Sequence, residues 1–365
     1  MALRPISKKR LQTDVTTHDA PTVPMPTIRL DIDRGALADN WRLLDRLSGS
    51  ARAGAAVKAD CYGLGVDACL PTLLEAGARD FFVAHWSEVA DVRKYVGGEQ
   101  LAVLHGANTA EEARYALATG VRPVINSLHQ AAIWKEAGGG QCHLMVDTGI
   151  HRLGILPWQV SDPAIQSLDI GVLMSHLSSA DEDSEANARQ LAVFQSLRQA
   201  TSAAEFSIAN SAGLGLGEEF AFDLTRPGLA LYGGVPRQEL AGAIRQVAYP
   251  RASIIQVHHL EPGDTVGYNC EFTAPEPMRA GTVSLGYADG FLRCWGQGGW
   301  LEQGGSRLPL LGKVSMDMVI VDLAEAPAAR LGDWLDVPYD LPEASRVSGL
   351  SQYELLTVLG QRMRR

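Results

Sequence analysis

The sequence predicts an α/β protein, with an N-terminal (β/α)8 barrel of the TIM type followed by a smaller, mainly-β C-terminal domain. Three observations predict it. Eight short apolar runs recur over roughly 200 residues, separated by Ala/Leu/Glu/Arg-rich stretches with helical spacing, which matches the strand count and length of such a barrel. No G-x-G-x-x-G follows an early strand, as a doubly wound dinucleotide-binding sheet would require. Near residue 245 the pattern changes to alternating segments broken by Pro and Gly.

Residues 1–26 are polar, basic and Pro-containing, without the continuous apolar stretch of a signal peptide, and are expected to form a flexible tail. "TIRLDID" then reads as a strand and "RGALADNWRLLDRLSG" as an amphipathic helix ended by glycine. The eight runs follow as "GAAVKA", "FFVAH", "LAVLHG", "RPVINS", "CHLMVDTG", "GVLMSHL", "FSIANS" and "FDLTRPGLALYG". Intervening stretches such as "GVDACLPTLLEAGA" and "ANARQLAVFQSLRQATSAA" supply the crossover helices, so the barrel domain is expected over residues 27–247. From 248 to 365 the β-rich segments "SIIQVHHLEPGDTVGYNCEFTA", "RAGTVSLGYADG" and "SRLPLLGKVSMDMVIVDL" make a second domain. It is expected to close with a short helix, "SQYELLTVLGQRMRR", whose basic end suits the helix dipole.

Composition narrows the function. With 32 Lys and Arg against 42 Asp and Glu, the net charge of −10 gives no support for general nucleic-acid binding. No apolar run approaches the roughly 20 residues that span a bilayer. The five cysteines are scattered and contain no C-x-x-C pair, which argues against a disulfide framework or zinc site and for reduced thiols in the cytoplasm.

"AAVKADCYGLGVD" ends a buried-looking strand on a lysine, and a buried ammonium is costly unless paired or neutralised. Either the strand end meets solvent, or Lys58 is there for its amine. Other strand ends repeat the pattern: Asp147, Thr148 and Arg152 after the fifth run, His176 at the sixth, Asn210 and Ser211 at the seventh, Arg226 and Gly228 at the eighth. Singly, each has a plain alternative: a surface charge, a turn cap, a structural ion pair, a turn glycine. A barrel brings its C-terminal strand ends to one mouth, so together they point to one site. The "NSAG" and "RPG" turns there offer backbone N–H groups suited to a phosphate.

These motifs resemble the alanine racemase family, whose coenzyme is pyridoxal 5′-phosphate. "AAVKADCYGLG" is similar to the signature around the family's cofactor lysine, and the likeness continues through "VDTGIHRLG", "SHLSSAD", "IANSAG", "RPGLALYG", "VGYNCEFTA", "LGYADG" and "GKVSMDM", in family order from Thr27 to Tyr353. The resemblance implies a barrel with a β domain, assembled as a head-to-tail homodimer with shared active sites. It implies that Lys58 carries the coenzyme covalently, and that Tyr62, Asn210, Ser211, Gly228, Leu229 and Tyr353 lie around its phosphate. Arg226 matches the arginine facing the pyridine nitrogen, where a permanent donor keeps that nitrogen unprotonated and limits transamination. Arg152 matches the arginine near the phenolic oxygen, and His176 the histidine that hydrogen-bonds Arg226. Tyr268 matches a catalytic tyrosine reaching in from the partner subunit, while Tyr287, Met316 and Asp317 match the substrate entrance.

The implied activity is racemisation of alanine by two bases on opposite faces of Cα, Lys58 serving the D enantiomer and Tyr268 the L enantiomer. A free tyrosine has a pKa near 10, so nearby cations must lower it; Arg152, Arg226 and the His176 network are the candidates. The sequence departs from the family at Met145, where many members have a lysine that becomes carbamylated and positions the neighbouring arginine. Arg152 is therefore expected to be held by another anion, chloride or a carboxylate. Leu64 replaces the usual histidine of the lysine motif, and Cys61 stands beside Tyr62. Racemisation of serine or a broader range remains open, as does a decarboxylase or lyase on the same coenzyme-bound barrel. A coenzyme-carrier barrel would lack the β domain.

Overall fold

Short parallel strands succeed one another in chain order and close on themselves, as the eight apolar runs lead one to expect. The computed structural model describes residues 24–296 and 298–364. All of the expected tail except residues 24–26 lies outside the described residues. The first strand, β1, spans Ile28–Ile32. The barrel strands are β2 (Arg52–Ala53), β3 (Ala55–Ala56), β4 (Phe81–Val83), β5 (Leu101–Val103), β6 (Arg122–Ile125), β7 (Gln141–Met145), β8 (Asp169–Met174), β9 (Glu205–Ser207) and β10 (Leu224–Thr225). β3 through β9 form one seven-stranded sheet in chain order, and β10 pairs in parallel with β2.

β2 and β3 are one barrel strand read from its two sides. Gly54 N–H donates to Thr225 O at 2.9 Å and Ala55 N–H to Asp80 O at 2.8 Å, so successive residues bond opposite neighbours. Asp223 N–H to Phe206 O and Arg226 N–H to Ala209 O join β10 to β9 and complete the ring. Gly54 is required sterically, because a Cβ there would stand 2.8 Å from Asp80 O and 2.9 Å from the Phe82 ring. Inside the ring Phe82, Ala102, Val124, Met145, Val172, Met174 and Leu224 pack into one cluster. The larger core lies between the ring and its helices and continues into the second domain through Ile254, Val283 and Leu301. There the helix Arg34–Leu47, capped by the Asp33 carboxylate, buries Leu37, Trp41 and Leu44.

The second sheet contains β11 (Ala248–Leu260), β14 (Met278–Val283), β15 (Trp300–Gln303), β16 (Ser306–Pro309), β17 (Val319–Asp322) and β18 (Trp334–Asp336), in the order β16-β15-β18-β11-β14-β17. The strands β12 (Thr265–Val266) and β13 (Phe272–Thr273) pair as a separate hairpin. Two expectations are corrected. Ile28–Ile32 was expected in the barrel segment 27–247, but β1 pairs antiparallel with the start of β11, Ile28 facing Ala252 and Ile32 facing Ala248. The first described strand thus belongs to the second sheet, ahead of the barrel strands. The C-terminal helix stops at Thr357, and Arg362 sits in a separate 3-10 turn, Gln361–Arg364. The break packs tightly: Gly360 N–H donates to Asp289 O, and a Cβ on Gly360 would lie 2.7 Å from Ala288 O.

Candidate active site

A cavity of about 710 Å³ opens at the C-terminal ends of the barrel strands. Lys58, Tyr62, Arg152, His176, Asn210, Ser211, Arg226, Gly228, Leu229 and Tyr353 all line it. The other expected residues do not. Tyr268, Tyr287, Met316 and Asp317 belong to the β domain and lie away from this cavity, with Tyr268 66% exposed and Met316 53% exposed.

Lys58 leaves β3 into an unusual turn. Ala59, Asp60, Cys61 and Tyr62 have φ values of 52°, 55°, 54° and 54°, four successive non-glycine residues in the left-handed region. Such a conformation costs about 1–2 kcal/mol per residue, so the surroundings must hold it. The turn drives Tyr62 into the wall, where its ring stacks on Tyr232 at 4.9 Å and approaches Tyr353 at 6.3 Å. Burial pushes the Tyr62 hydroxyl well above the usual phenol pKa, so it stays a neutral donor. Gly228 makes room for that hydroxyl, since a Cβ there would lie 2.2 Å from it. Ser211 Oγ accepts N–H bonds from Gly228 at 2.9 Å and Ala230 at 3.1 Å, tying the two expected phosphate turns together. Asn210 caps its own turn by accepting from Gly213 N–H at 2.8 Å.

The site is cationic. Burial is the main cause that lowers the Lys58 pKa from its ordinary value of 10.5, with Arg152 next; Glu88 opposes the shift and Arg226 adds to it. Arg226 is buried, and desolvation brings its guanidinium down to about 10, still charged at neutral pH. It donates to Ser207 Oγ and, at 2.6 Å, to the Ser175 carbonyl. These are the partners in place of the His176 hydrogen bond that the resemblance implies. The strand backbone offers its acceptor one residue before His176. Burial, then Arg226, Arg152 and Lys58, pull the His176 imidazole down to about 3, so it is neutral at physiological pH. Of the three candidates for stabilising a phenolate, only the two arginines bring charge.

Arg152 follows a turn held by Asp147, whose Oδ1 accepts from Gly149, Ile150 and His151 N–H at 2.9–3.1 Å. Met145 lines the cavity in the position of the family's modified lysine. Among the described residues no carboxylate forms an ion pair with Arg152, so the carboxylate alternative is not met within the chain. Asp317 is taken by Arg362 at 2.7 Å, and the same arginine holds the buried Asp289 at 2.8 Å. Asp317 is therefore half of an ion pair and not a free carboxylate.

The sequence reading missed Ser175, Ser207 and Gln190. Ser175 Oγ meets Thr148 Oγ1 at 2.7 Å, and Gln190 Nε2 reaches Thr148 Oγ1 at 3.1 Å and His176 O at 3.0 Å. A polar residue inside each of the runs "GVLMSHL" and "FSIANS" was the available signal.

A shaped cavity holding a desolvated amine, two guanidiniums, a neutral phenol and small-residue turns suits a group with an amine-reactive carbonyl and an anionic end. The donor set and the room left by Gly228 fit a phosphorylated aromatic aldehyde.

Comparison with known proteins gives the same direction. Residues 32–236 match the family model "Alanine racemase, N-terminal domain", and 247–365 match "Alanine racemase, C-terminal domain". The chain is 40% identical over 368 residues to the biosynthetic alanine racemase of Agrobacterium fabrum, covering 93% of each. It is 37% identical to the catabolic alanine racemase of the same organism, over 92% of this chain and 91% of that one. Its structure superposes on the alanine racemase of Bartonella henselae, crystallised with covalently bound pyridoxal phosphate, with a TM-score of 0.85 and 32% identity over 93% of this chain and 98% of that one. The biosynthetic enzyme of Pseudomonas aeruginosa gives 0.82 and 31%, with the same coverage. With both domain models matched in order and relatives this similar over nearly their whole length, the chain belongs to the alanine racemase family.

Proposed function

We propose that this protein interconverts L- and D-alanine in the cytoplasm using pyridoxal 5′-phosphate bound through Lys58. The observation that carries the reading is the convergence of Lys58, Arg152 and Arg226 with the Tyr62–Gly228 cradle in one cavity at the barrel mouth. Bound pyridoxal phosphate supplies a conjugated electron sink for the charge that develops at the substrate Cα. The residues of the chain do the rest. Lys58, with its depressed pKa, has a free amine more often than a surface lysine and can take or return a proton on one face of Cα. Arg226 would face the cofactor ring, and Tyr62, Ser211, Gly228, Leu229 and Tyr353 would hold its anionic end. Arg152 orients the substrate carboxylate.

The second face needs a second base. Tyr268 stands exposed on the β domain, outside its own cavity. We assign it, with Tyr287, Met316 and Asp317, to the cavity of a second copy in a head-to-tail homodimer. Arg152 and Arg226 there bring positive charge to the face on which it acts, while neutral His176 brings none.

The test combines two variants. Lys58→Ala should lose the borohydride-trapped cofactor adduct, and Tyr268→Phe should lose proton abstraction from L-alanine while keeping the adduct. Mixing the two inactive variants should restore activity, because hybrid dimers contain one intact shared site. Failure of mixing to restore activity in verified hybrids refutes the shared site. Solvent-deuterium incorporation across a panel of L and D amino acids reports reaction type and side-chain preference, and exchange absent from alanine refutes the assignment.

A further inference from the structure

Glu88 ends the 3-10 turn Trp86–Glu88, just after β4. Its carboxylate accepts three backbone N–H bonds. One oxygen takes Ala59; the other takes Ala84 at 2.7 Å and His85 at 2.8 Å. The His85 bond is the usual reciprocal bond of a capping box. Capping does not call for the other two. Ala84 follows β4 and Ala59 follows Lys58 at the end of β3, so one carboxylate straps two neighbouring strand ends at the barrel mouth.

Ala59 also opens the left-handed run Ala59–Tyr62. That run sets where Lys58 leaves the strand and where Tyr62 enters the wall, and its conformational cost must be met by local bonds. A charge-assisted bond to the first N–H of the run is suited to this, being stronger than a neutral one. Glu88 has a second effect. Lys58 is faced by Arg152 and Arg226, by the His105 and His176 imidazoles, and by the Tyr62 ring 6.0 Å away. Among the described residues whose charges act on its amine, Glu88 alone favours the ammonium.

We propose that Glu88 is a positioning residue for Lys58, clamping the left-handed turn that aims the amine and balancing the arginines around it. The inference rests on Lys58 being the cofactor-binding amine, and it makes Glu88 a determinant of cofactor capture although it touches neither cofactor nor substrate.

Two variants separate its parts. Glu88→Gln keeps the shape and removes the charge, and its amide N–H2 must face an N–H donor. Glu88→Asp keeps the charge but is one methylene too short to span both strands. In the chain freed of cofactor, the Lys58 pKa is read from the pH dependence of its acylation, located by peptide mass spectrometry. Cofactor capture is read as the rate of borohydride-trapped pyridoxal phosphate on Lys58, and folding as the urea midpoint. Glu88→Gln should lower the Lys58 pKa and slow capture about tenfold or more. Glu88→Asp should keep the pKa and slow capture comparably. Variants that lose only urea stability, with wild-type pKa and capture, would make Glu88 a cap alone and overturn the proposal. A wild-type chain that captures no pyridoxal phosphate refutes the cofactor reading instead; the Lys58 pKa in Glu88→Gln then decides the charge balance, and the Lys58 acylation rate in Glu88→Asp decides the clamp.

Discussion

Replacing Gly228 by alanine puts a methyl group 2.2 Å from the Tyr62 hydroxyl oxygen, 2.8 Å from its Cζ and 3.3 Å from the Ala56 Cβ. Non-bonded carbon contacts settle near 3.5–4.0 Å, so the phenol must retreat by about 1 Å. It has little room. Tyr62 is 6% exposed, and its ring lies on Tyr232, which is itself pinned through its hydroxyl to Ala56 O at 2.9 Å. Overpacking of this kind costs about 1–3 kcal/mol. Pyridoxal phosphate affinity should fall further than stability, because with the cofactor placed as proposed the displaced hydroxyl would lose a bond to its charged phosphate, worth about 1.5–3 kcal/mol or roughly 10- to 100-fold in Kd. Absorbance titration of the cofactor-free chain measures the affinity, and urea unfolding measures the stability. Tyr62→Phe removes the nearest obstructing atom while leaving Cζ in place. The double variant should therefore lose less than the sum of the singles, with a coupling of about 0.5 kcal/mol or more. A Gly228→Ala chain with wild-type affinity and stability, or strict additivity with Tyr62→Phe, would refute the steric reasoning.

Other perturbations read other parts of the structure. His143 and His176 are held by burial near a pKa of about 3, against about 6.5 when unfolded. Below pH 6.5 the unfolded chain binds protons the folded one refuses, so stability is complete above that value and falls as pH drops towards 3. The slope should reach about 1.4 kcal/mol per pH unit for each histidine. Urea unfolding at pH 7 and pH 5 measures it; His143→Gln, which keeps an acceptor for Val172 N–H, should flatten it, and an unchanged slope contradicts the assignment. Arg362→Ala leaves the buried Asp289 without its cation and frees Asp317, so it should cost about 1–3 kcal/mol of stability and raise KM for alanine more than it lowers kcat. Equal urea midpoints and KM values would show that the ion-pair network does not shape the entrance. Ser211→Ala orphans the N–H groups of Gly228 and Ala230 and should cost about 1–3 kcal/mol with weaker cofactor binding, both visible in the same two titrations.

How much could be read in advance depends on how far apart the interacting residues lie. The barrel strands were legible because parallel strands covered on both faces read as short continuous apolar runs. Lys58, His176, Asn210, Ser211 and Arg226 were legible because a polar side chain ending such a run stands out, whereas Tyr62, Leu229 and Tyr353 came only from the family resemblance. Lys58, Arg152, His176 and Arg226 meet at the mouth because barrel topology brings every strand's C-terminal end to one face. Ser175 and Ser207 were hidden inside runs read as uniformly apolar. Glu88 was hidden in a stretch read only as a connection.

Local pattern therefore settled the order of the elements and the chemistry at their ends, since period, turn residues and strand-end polarity are short-range properties. It could not announce that β1 pairs with β11 outside the barrel, because that register joins Ile28 to Ala252 across the whole barrel segment. Nor could it show the left-handed run at Ala59–Tyr62, where no glycine marks the positive φ. Those outcomes came from tertiary contact. A carboxylate reaching from the turn after one neighbouring strand and a phenol fitted against a glycine after the other neighbour make an intrinsically costly local conformation the favourable one.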